Sequence, residues 1–194
     1  MRIRILFFLI LCINFSGKTQ TYTLNPFQGG YFDPHPAVGG NLILNTEEFL
    51  FSFMAGMNDA GYDYYVGLEF GTRAVRRQIE VKDKDISNLY YQYHENINFF
   101  SLDLEKRFYF LGFQDKNKVG LYTGLRTGYL WGNYRGFSNY DNSKWFFSPD
   151  LGGVVTFRNT SVKLGYTLLD IPSVENNNYL NIEVSYVFNR HKND

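Results

Sequence analysis

The sequence holds a single cysteine, Cys12, among its 194 residues. It lies inside an N-terminal segment that reads as removable, so the chain that remains carries no thiol. Disulfides, a thiolate nucleophile and cysteine-ligated zinc are thereby excluded together. Net charge is lacking as well, because 19 Lys and Arg offset 19 Asp and Glu. Without a basic excess, a grip on nucleic-acid phosphates is disfavoured. Without a block of like charge, a disordered tail is disfavoured too. Long apolar runs are few. The three histidines, His35, His94 and His191, have no metal-ligand spacing, and the metalloprotease pattern HExxH is missing.

What is present is aromatic. The 16 Tyr, 19 Phe and 2 Trp make 19% of the chain, with 18 Gly beside them. That composition belongs to a β-protein of one domain. Residues 1–20, MRIRILFFLILCINFSGKTQ, read as a signal peptide. Arg2 and Arg4 form a positive start, residues 5–15 an apolar run too short to span a bilayer, and Ser16 and Gly17 a small-residue cleavage region. Read as a lipidation box, Leu9-Ile10-Leu11-Cys12 has a bulky Leu11 where a small residue is needed. Cleavage after Gln20 removes Arg2, Arg4 and Lys18 and leaves a net charge of −3.

Residues 119–134, VGLYTGLRTGYLWGNY, set the fold. Val119, Leu121, Leu125, Tyr129 and Trp131 occupy one parity; Gly120, Gly124, Arg126 and Gly128 occupy the other. A period of two is a strand. The same alternation recurs in residues 62–74, 97–110, 144–157, 161–171 and 179–188, and more weakly in 37–44 and 49–57, for eight strands in all. Alternation alone leaves two architectures open: a soluble sandwich with the apolar face inside, or a membrane barrel with that face outside. Three features favour the barrel. Tyr129, Trp131 and Trp145 sit at strand ends, as an interfacial girdle does. Links 45–48, 75–96, 135–143 and 172–178 fall on one side and include the longest. Links 58–61, 111–118 and 158–160 fall on the other. The last strand carries alternating aromatics and ends at Phe188, followed by six residues.

This layout resembles small eight-stranded outer-membrane barrels of the OmpA, OmpX and OmpW kind, in the style of those of Bacteroidota. The resemblance covers roughly residues 37–188. It implies an all-β, closed antiparallel eight-stranded transmembrane up-and-down barrel in the outer membrane, after signal cleavage. It also implies outer-membrane lipid as surroundings and a displaced C-terminal assembly signal. The division is then a signal peptide at 1–20, a periplasmic arm at 21–36, the barrel at 37–188 and a tail at 189–194. One residue resists: Lys106 falls on the lipid face, where a cation at the midplane costs about 2–4 kcal/mol. Snorkelling towards the periplasmic end, or a bulge, would relieve it.

The expected lumen charges are Asp63, Glu69, Asp103, Glu105, Asp150 and Glu183 against Arg73, Arg107, Arg126, Lys144 and Lys163. Six against five points to a paired network filling the barrel rather than to a selective pore, whose wall favours one sign. Asp103 and Glu105 share a face as a general acid–base pair would, but Arg107 follows on that face and pairing is the simpler reading. The lipid A deacylases show a His-x-Ser pair on one strand. Here His94 is followed by Glu95 and Asn96, so no enzyme is expected, and no cofactor. Tyr90, Tyr91 and Tyr93 lie in the longest link, either as exposed recognition residues or paired across a hairpin that outruns the membrane. The functional expectation is a non-enzymatic outer-membrane barrel with a structural or surface-interaction role. The alternatives are an accessory barrel of an envelope complex for secretion, conjugation or barrel assembly, and a small channel.

Overall fold

The computed structural model describes residues 21–23, 31–82, 86, 89–113, 117–134, 143–171 and 174–188. The expected signal peptide at 1–20 with Cys12, most of the expected arm and the tail at 189–194 lie outside the described residues. Ten strands form one antiparallel sheet: β1 Thr21–Thr23, β2 Pro34–Leu44, β3 Phe49–Asp59, β4 Tyr64–Arg73, β5 Arg77–Lys82, β6 Tyr90–Phe113, β7 Asn117–Tyr134, β8 Lys144–Phe157, β9 Thr160–Leu168 and β10 Asn178–Val187. Eight of them close a barrel. Each of β2, β3, β4, β6, β7, β8, β9 and β10 pairs with the next, and β10 pairs back onto β2 from Leu180–Leu44 to Val187–Ala37.

The register gives the barrel its stagger. A walk across the hydrogen bonds from Phe108 passes Leu121, Gly153, Leu164, Ile182, Leu42, Phe51 and Thr72. It returns to β6 at Asn98, ten residues from its start (108 to 98). Eight strands with that shear tilt about 40° from the axis. Trp145 to Phe157 on β8, at a rise of about 3.3 Å per residue, then spans about 30 Å of height, close to the thickness of a hydrocarbon core.

The sequence alternation maps onto the two faces as a membrane barrel requires. Leu121 is 57% and Val184 50% exposed, whereas Arg126 is 2% and Glu183 1%. Phe53, Phe70, Phe147, Leu151, Leu164 and Tyr166 are likewise exposed. A continuous apolar belt of this extent is foreign to a soluble monomer and is the lipid-facing wall of a transmembrane barrel.

Several elements differ from the sequence reading. The link 75–96 is not a loop: β5 pairs with the outer part of β6 from Arg77–Glu95 to Lys82–Tyr90, so β6 runs 24 residues. The barrel begins at Pro34 rather than 37. There prolines are tolerated because the strand is only starting, and Phe188 N still donates to Pro36 O at 2.8 Å. The arm contributes β1, paired with Leu111–Phe113 of β6. β9 ends at Leu168, and Leu169, Ile171 and Val174 fold inward instead. The bulge on β6 falls between Tyr109 and Leu111, not at Lys106.

The turns have local causes. Asp59 closes the β3–β4 turn, its carboxylate accepting from Asp33 N at 2.6 Å, Gly61 N at 3.3 Å and Tyr62 N at 3.1 Å. Gly61 is required there because a Cβ would run into the Tyr31 carbonyl. Arg158 takes a φ of 53° in the two-residue β8–β9 turn, at the first central position, where a hairpin turn needs the left-handed region.

Candidate functional site

The lumen collects the chemistry. Glu69, Arg73, Asp103, Glu105, Arg107, Arg126, Asp150, Lys163 and Glu183 are all buried inside the barrel. They arrive there because each occupies the inward parity of its strand. Three tiers follow one another between the end with the longer links (the loop end) and the end with the short turns (the turn end).

The middle tier is centred on Arg126 of β7. Its Nε lies 3.1 Å from Glu69 Oε2 and 4.0 Å from Asp103 Oδ2, and its Nη2 lies 3.4 Å from Asp150 Oδ2. Asn41 Nδ2 donates to Glu69 Oε1 at 3.1 Å, and Ser52 donates to the same oxygen. One guanidinium therefore faces three carboxylates from three strands. Towards the turn end, Lys163 of β9 bridges Glu105 and Glu183, the latter at 2.6 Å. Arg107 binds Glu105 Oε1 through Nε at 2.6 Å and donates to Asn58 Oδ1 at 2.9 Å. The rings of Tyr122 and Tyr65 flank the Lys163 ammonium at 5.0 and 5.9 Å. Towards the loop end, Arg73 holds Glu48 at 2.5 Å and Glu95 at 2.9 Å, and Tyr179 donates to Glu48 at 2.7 Å.

Two corrections follow. Asp63 and Lys144 stand at the two rims of the lumen rather than within it, Lys144 opposite the inward Leu130 and Asp63 beside the turn-end cavity. Asp63 sits in the β3–β4 turn, 3.6 Å from Lys118, and burial pushes its carboxyl above the ordinary value against the neighbouring charges of Lys118, Lys106 and Arg107. Lys144 pairs with Asp170 at 2.6 Å at the loop end. Glu48 and Glu95, which lie in links of the sequence reading, do point inward. Among the described residues the interior balance is therefore seven carboxylates (Glu48, Glu69, Glu95, Asp103, Glu105, Asp150, Glu183) against four cations (Arg73, Arg107, Arg126, Lys163). The near-equality of six and five does not hold.

Nor is the lumen ionic throughout. Its loop-end half is an apolar core of Ile43, Leu50, Ile97, Phe99, Leu130, Phe146, Leu169, Ile171, Val174 and Tyr179. Phe99 meets Phe146 edge-on at 6.0 Å, and its ring occupies the space that a Cβ on Gly71 would need. The sequence signal for this second core was the apolar doublet. Phe99-Phe100, Leu130-Trp131 and Phe146-Phe147 turn one residue to lipid and one to the interior. At the turn end a cavity of about 130 Å³ opens among Asn58, Asp63, Arg107, Lys118, Arg158 and Ser161.

Outside, Tyr129 stacks on Trp131 at 6.4 Å and meets Trp145 edge-on at 5.6 Å, so the three girdle residues form one aromatic cluster at the loop end. Tyr90 and Tyr91 lie in the ribbon that β5 and β6 extend beyond the barrel, opposite Lys82 and Val81, and Tyr90 is 59% exposed. Tyr93 is opposite Ile79; its side chain lies outside the described residues.

No family model matches the chain, and no curated protein matches it. Among solved structures it is similar to the N-terminal β-barrel domain of OprF of Pseudomonas aeruginosa, with 15% identity over 81% of this chain and all of that one, at a TM-score of 0.46. It is also similar to Ail, the attachment invasion locus protein of Yersinia pestis, solved with the heparin analogue sucrose octasulfate: 12% identity over 82% of this chain and 99% of that one, TM-score 0.43. A third is Neisserial surface protein A, at 12% identity, 83% and 100% coverage and a TM-score of 0.41. By the registers of its own strands and the polarity of its two faces, the chain is a small, closed, eight-stranded antiparallel β-barrel of the membrane type.

Proposed function

We propose that this chain is a non-enzymatic outer-membrane barrel whose role is structural or surface interaction, with the turn end in the periplasm and the loop end outside. The observation that carries the reading is the apolar belt around a lumen filled by an apolar core and a paired ionic network. Short turns at one end and longer links at the other match periplasmic and outer connections. The β5–β6 ribbon then stands clear of the membrane on the outer side, with Tyr90 exposed upon it, which suits contact with other molecules at the surface.

The two tryptophans of the sequence, Trp131 and Trp145, provide the test. Both lie in the exterior girdle, so phospholipids brominated near the headgroup should quench their emission more strongly than lipids brominated near the chain ends. A water-soluble monomer that needs no detergent, or emission indifferent to bromine, refutes the membrane assignment.

The apolar core of the lumen speaks against a channel. Ions would have to shed water to pass Phe99, Leu130 and Phe146, and a dry apolar constriction holds them back. Purified protein in a planar bilayer is expected to be electrically silent at moderate voltage, and steady unitary conductance would refute the filled lumen.

A further inference from the structure

Lys106 is the charge that the lipid-facing wall should not carry. At the outward positions of the eight barrel strands, among the described residues, the Lys, Arg, Asp and Glu are two: Asp59 at the very end of β3, whose carboxylate is tied into the β3–β4 turn, and Lys106, which stands within its strand. Its neighbours on that face of β6 are Leu102, Leu104 and Phe108. An isolated cation in hydrocarbon is costly, so its surroundings must offset it. The structure shows half of the answer. The ammonium bends to the β3–β4 turn, where it donates to the Tyr62 carbonyl, and it lies 4.4 Å from the Tyr64 ring centre and 5.7 Å from that of Phe108. These partners are neutral. Among the described residues Lys106 makes no ion pair within 4.0 Å; the nearby carboxylate of Asp63, which feels its charge, lies 3.6 Å from Lys118. An ammonium has three donors, and the Tyr62 carbonyl takes one.

Beside this ammonium the outer wall is shallowly indented. A depression of about 390 Å³ is lined by Tyr64, Val66, Leu104, Lys106, Thr123 and Leu125. It runs along β4, β6 and β7, with the small Thr123 opposite Lys106 in the register. Its outward side chains are mostly apolar, with Lys106 at the turn-end side; Glu105, which also borders it, is buried and bound to Lys163 and Arg107 in the lumen. Asn98, which pairs with the girdle residue Trp131, is eight residues from Lys106 on β6, or about 20 Å of height at that rise and tilt. Lys106 thus lies in the turn-end half of the wall, past the midplane, and its long side chain carries the ammonium on towards the β3–β4 turn and the interface beyond it.

We propose that the Lys106 depression is a binding site for one glycerophospholipid of the periplasmic leaflet, its phosphate on the Lys106 ammonium and an acyl chain laid along Val66, Leu104 and Leu125. The inference rests on the outer-membrane reading given above. The phosphate supplies the anion that the wall lacks, and a charge-assisted hydrogen bond in this apolar setting is stronger than one in water. Tyr64, the first residue of β4 after the β3–β4 turn, supplies a ring beside the ammonium.

The test is native mass spectrometry of the full chain released from micelles containing dioleoylphosphatidylglycerol or, in a second arm, dioleoylglycerol, which has the same chains and no phosphate. Wild type is expected to retain one phospholipid and no diacylglycerol. Lys106→Met should weaken retention by about tenfold or more, while Lys106→Arg stays within about threefold. Thr123→Trp, which fills the depression and leaves the ammonium in place, should weaken it as Lys106→Met does. All variants must show the heat-shifted gel band of a folded barrel. Equal phospholipid retention by wild type and Lys106→Met, or retention of diacylglycerol as good as that of phospholipid, overturns the site while leaving the membrane assignment intact. A chain that never enters bilayers or micelles overturns both.

Discussion

Replacing Arg126 by methionine is expected to destabilise the barrel by about 3–5 kcal/mol, the usual consequence of removing one partner from a buried ionic cluster. Glu69, Asp103 and Asp150 converge on that guanidinium at 3.1, 4.0 and 3.4 Å, and without it three carboxylates face one another in a space water barely reaches. Urea unfolding in phospholipid vesicles, read by the heat-shifted band, measures the loss. A loss below about 1 kcal/mol would mean the cluster is solvated like a surface pair. The cause is separable from lost packing. Adding Glu69→Gln, Asp103→Asn and Asp150→Asn to Arg126→Met removes the stranded charges together, so much of the stability should return. If the quadruple variant is as weak as the single one, volume rather than charge holds this tier.

Phe99→Ala is expected to cost a similar amount, about 3–5 kcal/mol, for a different reason. Phe99 is 1% exposed, packed against Phe146 and over Gly71, and its neighbours belong to a closed wall that cannot collapse into the gap. The cavity penalty therefore adds to the transfer loss. Phe100, the next residue, is 45% exposed on the lipid side. Phe100→Ala leaves a gap that acyl chains refill, so its cost should be the smaller of the two by about 2 kcal/mol. The same vesicle titration compares them. Equal losses would imply that the Phe99 site drains to lipid or water, contrary to a packed interior.

The parity of side chains was legible in the sequence; their depth along the strand was not. Arg126 sits among glycines on one parity of residues 119–134, and this alone places it inward once the apolar parity is assigned to lipid. Phe99 and Phe146 offered no such contrast, because an apolar residue beside an apolar residue reads as lipid-facing on either parity. Glu95 was hidden for another reason. Beyond the membrane both faces of a ribbon meet water, so alternation fades where β5 and β6 continue, and polar residues there look like a loop. Lys106 was conspicuous because it broke a clean pattern. What it bonds depended on the β3–β4 turn, 44 residues away in sequence, which no local spacing encodes.

The interior is unlike at its two ends. At the loop end an apolar core closes around the Arg73, Glu48 and Glu95 cluster, whereas the turn end opens on a polar hollow beside Arg107. Small solutes and protons therefore meet Arg107 and its partner Glu105 sooner from the turn end than from the loop end, so exchange with the two surroundings is unequal.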